Sequence, residues 1–242
     1  YISSYQAFIW NKLLNNYIET GMTELNVTHT NGTAFTRSGT ITGGTSGATG
    51  IVYLTMDPNP TALSGTISVL RISVLSGTFV VGESVTGSGA AATINTITGG
   101  TSVTEELVDW RVSNGIVAGN FLVRGGTVSS SFLSNAVAGS KIVDNVFYSI
   151  ANPTSYSGIA NQIDNTLIHG NRISLRRGTD GGTDPCILSI GNNVIISNNV
   201  CADGGTGILI DNASGSVSLS ADNILIQGNL CRGNTGGINV RS

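Results

Sequence analysis

Over the first 20 residues the apolar positions fall at helical steps. Tyr5, Ile9 and Leu13 are four apart, and Phe8, Trp10, Leu14 and Tyr17 widen the apolar face. Ser3 or Ser4 offers an N-cap and Gly21 a left-handed stop, so the spacing predicts one α-helix over residues 3–20. A helix this apolar on several sides packs either on its own domain or with copies of itself around a symmetry axis. From residue 22 the period changes. Val, Ile and Thr alternate with small polar residues in short runs that end at Gly, which predicts β structure to residue 104. From residue 105 the runs remain short and β-like, but they fall into step with one another.

The step is a repeat. Asn114-Gly-Ile-Val-Ala-Gly-Asn120, Asn165-Thr-Leu-Ile-His-Gly-Asn171, Asn193-Val-Ile-Ile-Ser-Asn-Asn199 and Asn223-Ile-Leu-Ile-Gln-Gly-Asn229 follow one template, and Gly139-Ser-Lys-Ile-Val-Asp-Asn145 is a fifth copy. The closing asparagines are spaced by 25, 26, 28 and 30 residues, a period that marks a stacked architecture. Three residues before each closing Asn stand Val117, Ile142, Ile168, Ile196 and Ile226; two after it stand Leu122, Phe147, Ile173, Cys201 and Cys231. Both columns are apolar, as the interior of a stack requires. The asparagines themselves are expected to sit at coil corners, where Asn tolerates a left-handed backbone, and to bond to one another along the stack. A second corner signal recurs at Arg124-Gly-Gly-Thr127, Asp180-Gly-Gly-Thr183, Asp203-Gly-Gly-Thr206 and Arg232-Gly-Asn-Thr235.

This template resembles the parallel β-helix repeat of pectate lyases, polygalacturonases and phage tailspikes. The resemblance implies a short right-handed solenoid; five coils at about 4.8 Å each make a rod roughly 24 Å long. In the earlier region, Ile41-Thr-Gly-Gly-Thr-Ser46 recurs as Ile97-Thr-Gly-Gly-Thr-Ser102, and Phe79-Val-Val-Gly-Glu-Ser-Val-Thr-Gly87 leads into Ser88-Gly89-Ala90. That arrangement looks like the small β modules common in bacteriophage structural and tail proteins. The expected fold is therefore all-β: an N-terminal helix (1–21), a small Gly/Thr-rich β region (22–104) and a parallel β-helix of about five coils (105–242).

Composition narrows the functional classes. Only 10% of the 242 residues are charged, with 11 Lys plus Arg against 14 Asp plus Glu. Ser, Thr and Asn together number 79 (28, 27 and 24), so hydroxyls and amides rather than ions wet the surface. A net charge of -3 lacks the basic face that nucleic acid requires. No apolar run reaches the length of a membrane span. The chain opens on Tyr1 without a signal-peptide pattern, as expected of an excerpt or a processed product. The solenoid pattern runs to the last residues without a polar cap, so more chain or a partner is expected to cover that end. Cys186, Cys201 and Cys231 are too few for a disulfide framework and have no metal-site spacing. Cys201 and Cys231 instead fill one interior column as reduced thiols, in keeping with assembly in a bacterial cytoplasm.

Candidate chemistry is sparse. Asp180 and Asp203 occupy matching corners of adjacent coils with Asp184 close by, a carboxylate set of the kind glycoside hydrolysis needs. His169, Arg172, Arg176 and Arg177 share the coil of Asp180, and a lyase would use such an Arg as base. Against this, the Asp corners carry Arg in other coils, which fits turn chemistry, and the Asn-Thr-Asp, Asp-Asp and Gly-His-Gly clusters of polygalacturonases are missing. Trp110, Phe132, Tyr148 and Tyr156 are available to stack on sugars or to pack. One outward column, Ile116, Lys141, Leu167, Ile195 and Leu225, is apolar in four of five coils and predicts a contact surface. No cofactor or metal is expected. The resemblance implies a phage virion appendage, a tail fibre or tailspike, trimeric, joined to other virion proteins and recognising host-surface polysaccharide. The alternatives are a polysaccharide-cleaving tailspike and a purely structural decoration or baseplate protein.

Overall fold

The structure is a computed structural model. It describes residues 2–3, 12–56, 63–99, 102–103, 107–125, 127–128, 131–150, 152–153, 157–175, 184–211 and 223–241. These residues are all β. The repeat region winds into a β-solenoid whose strands stack in parallel. Sheet one is seven strands deep: Ile2–Ser3, Val108–Trp110, Leu133–Asn135, Ile159–Asn161, Pro185–Ser189, Thr206–Asp211 and Gly236–Arg241. Sheet two holds Lys12–Leu14, Ile116–Ala118, Lys141–Val143, Leu167–His169, Ile195–Ser197 and Leu225–Gln227. Sheet three holds Tyr17–Thr20, Phe121–Arg124, Val146–Ser149, Arg172–Ser174, Val200–Ala202 and Leu230–Arg232.

The helix expected over residues 3–20 is not seen in the described part of that span. Residues 4–11 lie outside the described residues, while Lys12–Leu14 and Tyr17–Thr20 are strands of the first coil. The reason is tertiary: Leu13 and Ile18 flank an Asn15-Asn16 corner just as Ile196 and Cys201 flank Asn198-Asn199. They pair in register with Val117 and Leu122. Pairing along the stack outweighs a local four-residue period.

Between this first coil and the second, the chain leaves to build a closed six-stranded antiparallel barrel. Its order around the wall is Thr23–His29, Ile67–Ser76, Thr49–Met56, Thr40–Gly43, Ser84–Gly87 and Ala90–Gly99. Alternation fills it with Leu25, Val27, Ile41, Val52, Leu70, Ile72, Val85 and Ile94, each removed from water. Glu83 immediately precedes the strand Ser84–Gly87. Although it is buried, its carboxylate accepts hydrogen bonds from the backbone N–H groups of Val80 (2.7 Å), Ser46 (2.9 Å) and Thr45 (3.0 Å) and from the Ser46 hydroxyl (2.9 Å). The repeated Gly-Gly-Thr-Ser motif is thus, in its first copy, a nest for that carboxylate.

In the solenoid the two apolar columns stack inward in register, Leu13 through Ile226 in sheet two and Ile18 through Cys231 in sheet three. Side chains from Val117 to Ile196 in this interior are shut off from solvent. Each such aliphatic side chain contributes about 2 kcal/mol on burial. The outward column of Ile116, Lys141, Leu167, Ile195 and Leu225 is also in register, half-buried at Ile116 and Leu167 and exposed at Ile195 and Leu225.

The closing asparagines form a buried amide ladder six residues long. Each Nδ2 donates to the next Oδ1, from Asn16 through Asn120, Asn145, Asn171 and Asn199 to Asn229, at 2.9–3.0 Å. The same amides donate to backbone carbonyls of the preceding coil, as Asn145 does to Val117 and Asn171 to Ile142. The left-handed backbone lies one residue earlier than the sequence suggested. There Asn15, Gly119, Asp144, Gly170, Asn198 and Gly228 alternate, all with φ between 53° and 67°. Glycine is required in alternate coils because the Oδ1 of Asn15, Asp144 or Asn198 occupies the place where a Cβ on the glycine above would stand.

Candidate functional site

The barrel lies against the outer face of sheet three, and where they meet a groove of about 480 Å³ opens. Ser38 and Ile51 line it from the barrel; Tyr148, Ser149, Ile150, Ser174 and Asp203 line it from the solenoid. Strand alternation explains the solenoid wall. Phe147 and Ile173 point inward, so their neighbours Tyr148 and Ser174 point out, one coil apart and in register. Asp203 follows in the next coil as a left-handed corner residue with φ 59°. Its Oδ2 accepts a hydrogen bond from the Ser174 hydroxyl at 3.1 Å, and its Oδ1 packs over Gly233, repeating the Asx-over-Gly device. The barrel wall is held by the Ser38 N–H donating to the Val52 carbonyl at 2.7 Å, with φ 64° at Ser38.

Chemically the groove offers a tyrosine ring, the hydroxyls of Ser38 and Ser174, the aliphatic side chains of Ile51 and Ile150, and one carboxylate; Ser149 is buried, in register with the inward-turned Arg124. Asp203 is the sole carboxylate among the described residues that line it. Asp180 lies outside the described residues, as do Arg176, Arg177 and Tyr156. Asp184 is half-buried beside the groove rather than in its lining; its backbone carbonyl accepts from Gly205 and Thr206. His169 faces outward on sheet two, its Nδ1 2.9 Å from the Ser197 hydroxyl, and Arg172 is exposed on sheet three. Thus Asp203 and Tyr148, two of the residues singled out from sequence, come together, joined by Ser174, Ser149, Ser38 and Ile51. No sequence signal marks the barrel pair, because the groove exists only once barrel and solenoid are apposed.

Two other aromatics go to the core. Trp110 and Phe132 are fully buried, Phe132 meeting Phe147 edge-on at 5.9 Å. Arg124, the first residue of a recurring corner signal in the sequence, ends the strand Phe121–Arg124, turns inward and lies 5.3 Å over the Phe132 ring. The three cysteines gather inside the solenoid. Cys201 and Cys231 are in-register neighbours, and Cys186 reaches the Ala202 carbonyl at 3.7 Å. The hydrogen bond to Cys186, then burial, pushes the Cys201 thiol well above its ordinary value; the bond to Cys201 does the same for Cys231. Such thiols are packing groups at neutral pH. Among the described residues no three His, Cys, Asp or Glu side chains converge as a metal site.

No family model matches this sequence, and comparison with curated proteins returns no match.

Proposed function

We propose that this chain belongs to a bacteriophage virion appendage, a tail fibre or tailspike, and that the groove between barrel and solenoid binds a host-surface glycan. The observation that carries the reading is the composition of the groove. A tyrosine ring and aliphatic side chains offer a surface for the C–H face of a sugar, while hydroxyls and one carboxylate converge on its O–H groups. The parallel solenoid and the weakly charged, hydroxyl-rich composition agree with an elongated extracellular rod. On this reading the particle is reached through other virion proteins, and three copies associate along the outward column of Ile116, Leu167, Ile195 and Leu225. Light scattering that finds a monomer at micromolar concentration removes the trimer.

The binding claim is tested by titrating the protein with bacterial capsular polysaccharides and lipopolysaccharide O-chains. Wild type is expected to bind at least one of them, and Tyr148→Ala to weaken that binding by about 10-fold or more, the loss of one stacked ring. An unchanged affinity in Tyr148→Ala rejects the groove. Tight binding to phage particles without binding to any glycan or host cell replaces the reading with a structural virion component.

A further inference from the structure

Next to the groove, two aromatic rings are stacked in the open. Tyr17 and Phe121, in-register neighbours on the outer face of sheet three, lie with centroids 5.8 Å apart and planes 8° from parallel. They remain 56% and 38% exposed, whereas Trp110, Phe132 and Phe147 are wholly buried. The pair is tied to the same barrel strand that forms the groove. The Tyr17 hydroxyl lies 3.1 Å from that of Tyr53, and Tyr53 is two residues from Ile51, a lining residue. Arg37 sits 5.4 Å over the Tyr53 ring, and its neighbour Ser38 lines the groove. On the solenoid side, Phe121 pairs with Val146, two residues before Tyr148. One strand spacing and two residues of rise place Phe121 and Tyr148 about 8 Å apart, a gap that one or two sugar rings bridge.

We infer that the Tyr17–Phe121 stack is a second sugar subsite continuous with the groove, so that the protein holds a glycan chain of several sugars rather than a single terminal one. The inference rests on the glycan-binding reading and adds its ligand class: an extended oligosaccharide laid across successive coils. The chemistry favours this occupant. Exposed ring surface edged by the paired hydroxyls of Tyr17 and Tyr53 matches the alternating C–H faces and O–H rims of a saccharide chain, and Phe121 leads from it towards Tyr148 of the groove.

The experiment measures affinity against fragment length. The polysaccharide that binds wild type best is partially hydrolysed, and fragments of two to about eight sugars are titrated into wild type and into the Tyr17→Ala/Phe121→Ala double variant. Affinity for wild type is expected to rise about 10-fold or more between the shortest and the longest fragments, the increment of one further stacked ring. The double variant is expected to bind the shortest fragments as wild type does, which also reports that it is folded, and to lose the rise. Equal affinity at every length, or a rise that survives in the double variant, overturns the second subsite while leaving the groove reading intact. Self-association of wild type that the double change removes assigns the stack to a second copy of the chain and also overturns it. If neither polymer nor fragment binds, the groove reading falls and this one with it.

Discussion

At the scale of single residues, burial here is made tolerable by amides and hydroxyls. Asn145 has no exposed surface, yet its side chain donates to Val117, Val143 and Asn171 and accepts from Asn120. Asn145→Ala strips partners from groups that water cannot reach, and each such loss costs about 1–3 kcal/mol. A destabilisation of about 3 kcal/mol or more is expected in chemical denaturation. Asn145→Asp should be worse, since a carboxylate cannot donate to the Oδ1 of Asn171. Glu83 is the ionic counterpart. Burial opposes its charge, but the hydrogen bonds from Ser46, Val80 and Thr45 outweigh that and hold its carboxyl below the ordinary value of 4.5. A carboxylate lowered in the folded state stabilises the fold above its unfolded value and loses that contribution as pH falls through the folded one. The barrel should therefore lose stability below about pH 4.5. Glu83→Gln should weaken it at neutral pH and flatten that acid dependence, read by thermal melts from pH 3 to 7.

At the scale of strands and coils, legibility depended on even spacing. Two columns and the amide ladder could be read because each lies at a fixed offset from an asparagine recurring every 25 to 30 residues. The first coil could not: Asn16 stands 104 residues before its ladder partner Asn120, and the local pattern around it imitates a helix. A second interior amide run also escaped notice. Asn135 donates to Asn161 at 2.8 Å, and Asn161 to the Ser189 hydroxyl at 3.1 Å. These positions keep a fixed offset, ten residues before the closing Asn145, Asn171 and Asn199, but the residue type changes along the column from Trp110 through Asn135 and Asn161 to Ser189, so no repeated side chain marks it. The cysteine column was legible in part, with Cys201 and Cys231 placed and Cys186 not. Since hydrogen bonding and burial raise the thiols of Cys201 and Cys231, both should resist iodoacetamide at pH 8 in native protein and react promptly in denaturant. The sign for stability follows: thiols raised in the fold favour it until pH passes their ordinary value of 9.0, and above it stability declines.

At the scale of the whole molecule, the barrel is an insertion between two coils that touch. The strand Tyr17–Thr20 precedes it, Val108–Trp110 follows it, and the coils they belong to are hydrogen-bonded neighbours. Elsewhere sheet three hands over to sheet one through a segment that carries one short strand, as Thr127–Val128 between Arg124 and Leu133, and these short strands stack as well, Ser102–Val103 on Thr127–Val128 on Asn152–Pro153. Replacing residues 22–101 by one residue, which restores between Thr20 and Ser102 the two-residue gap that separates their partners Arg124 and Thr127, should leave a folded solenoid. Its β signature by circular dichroism and its cooperative melting should persist, while the proposed glycan binding is lost with Ser38 and Ile51, the barrel wall of the groove. A chain that no longer folds would mean that the first coil needs the barrel to stay docked.

One wall of the recess belongs to the guest module and the other to the host rod, so on the proposed glycan-binding reading selectivity would be a property of the seam. Exchanging only the inserted cassette would redraw half of the recognition surface without disturbing the amides that hold the rod together. New preferences could in this way arise by recombination at a single pair of junctions, with no need to redesign the scaffold coil by coil.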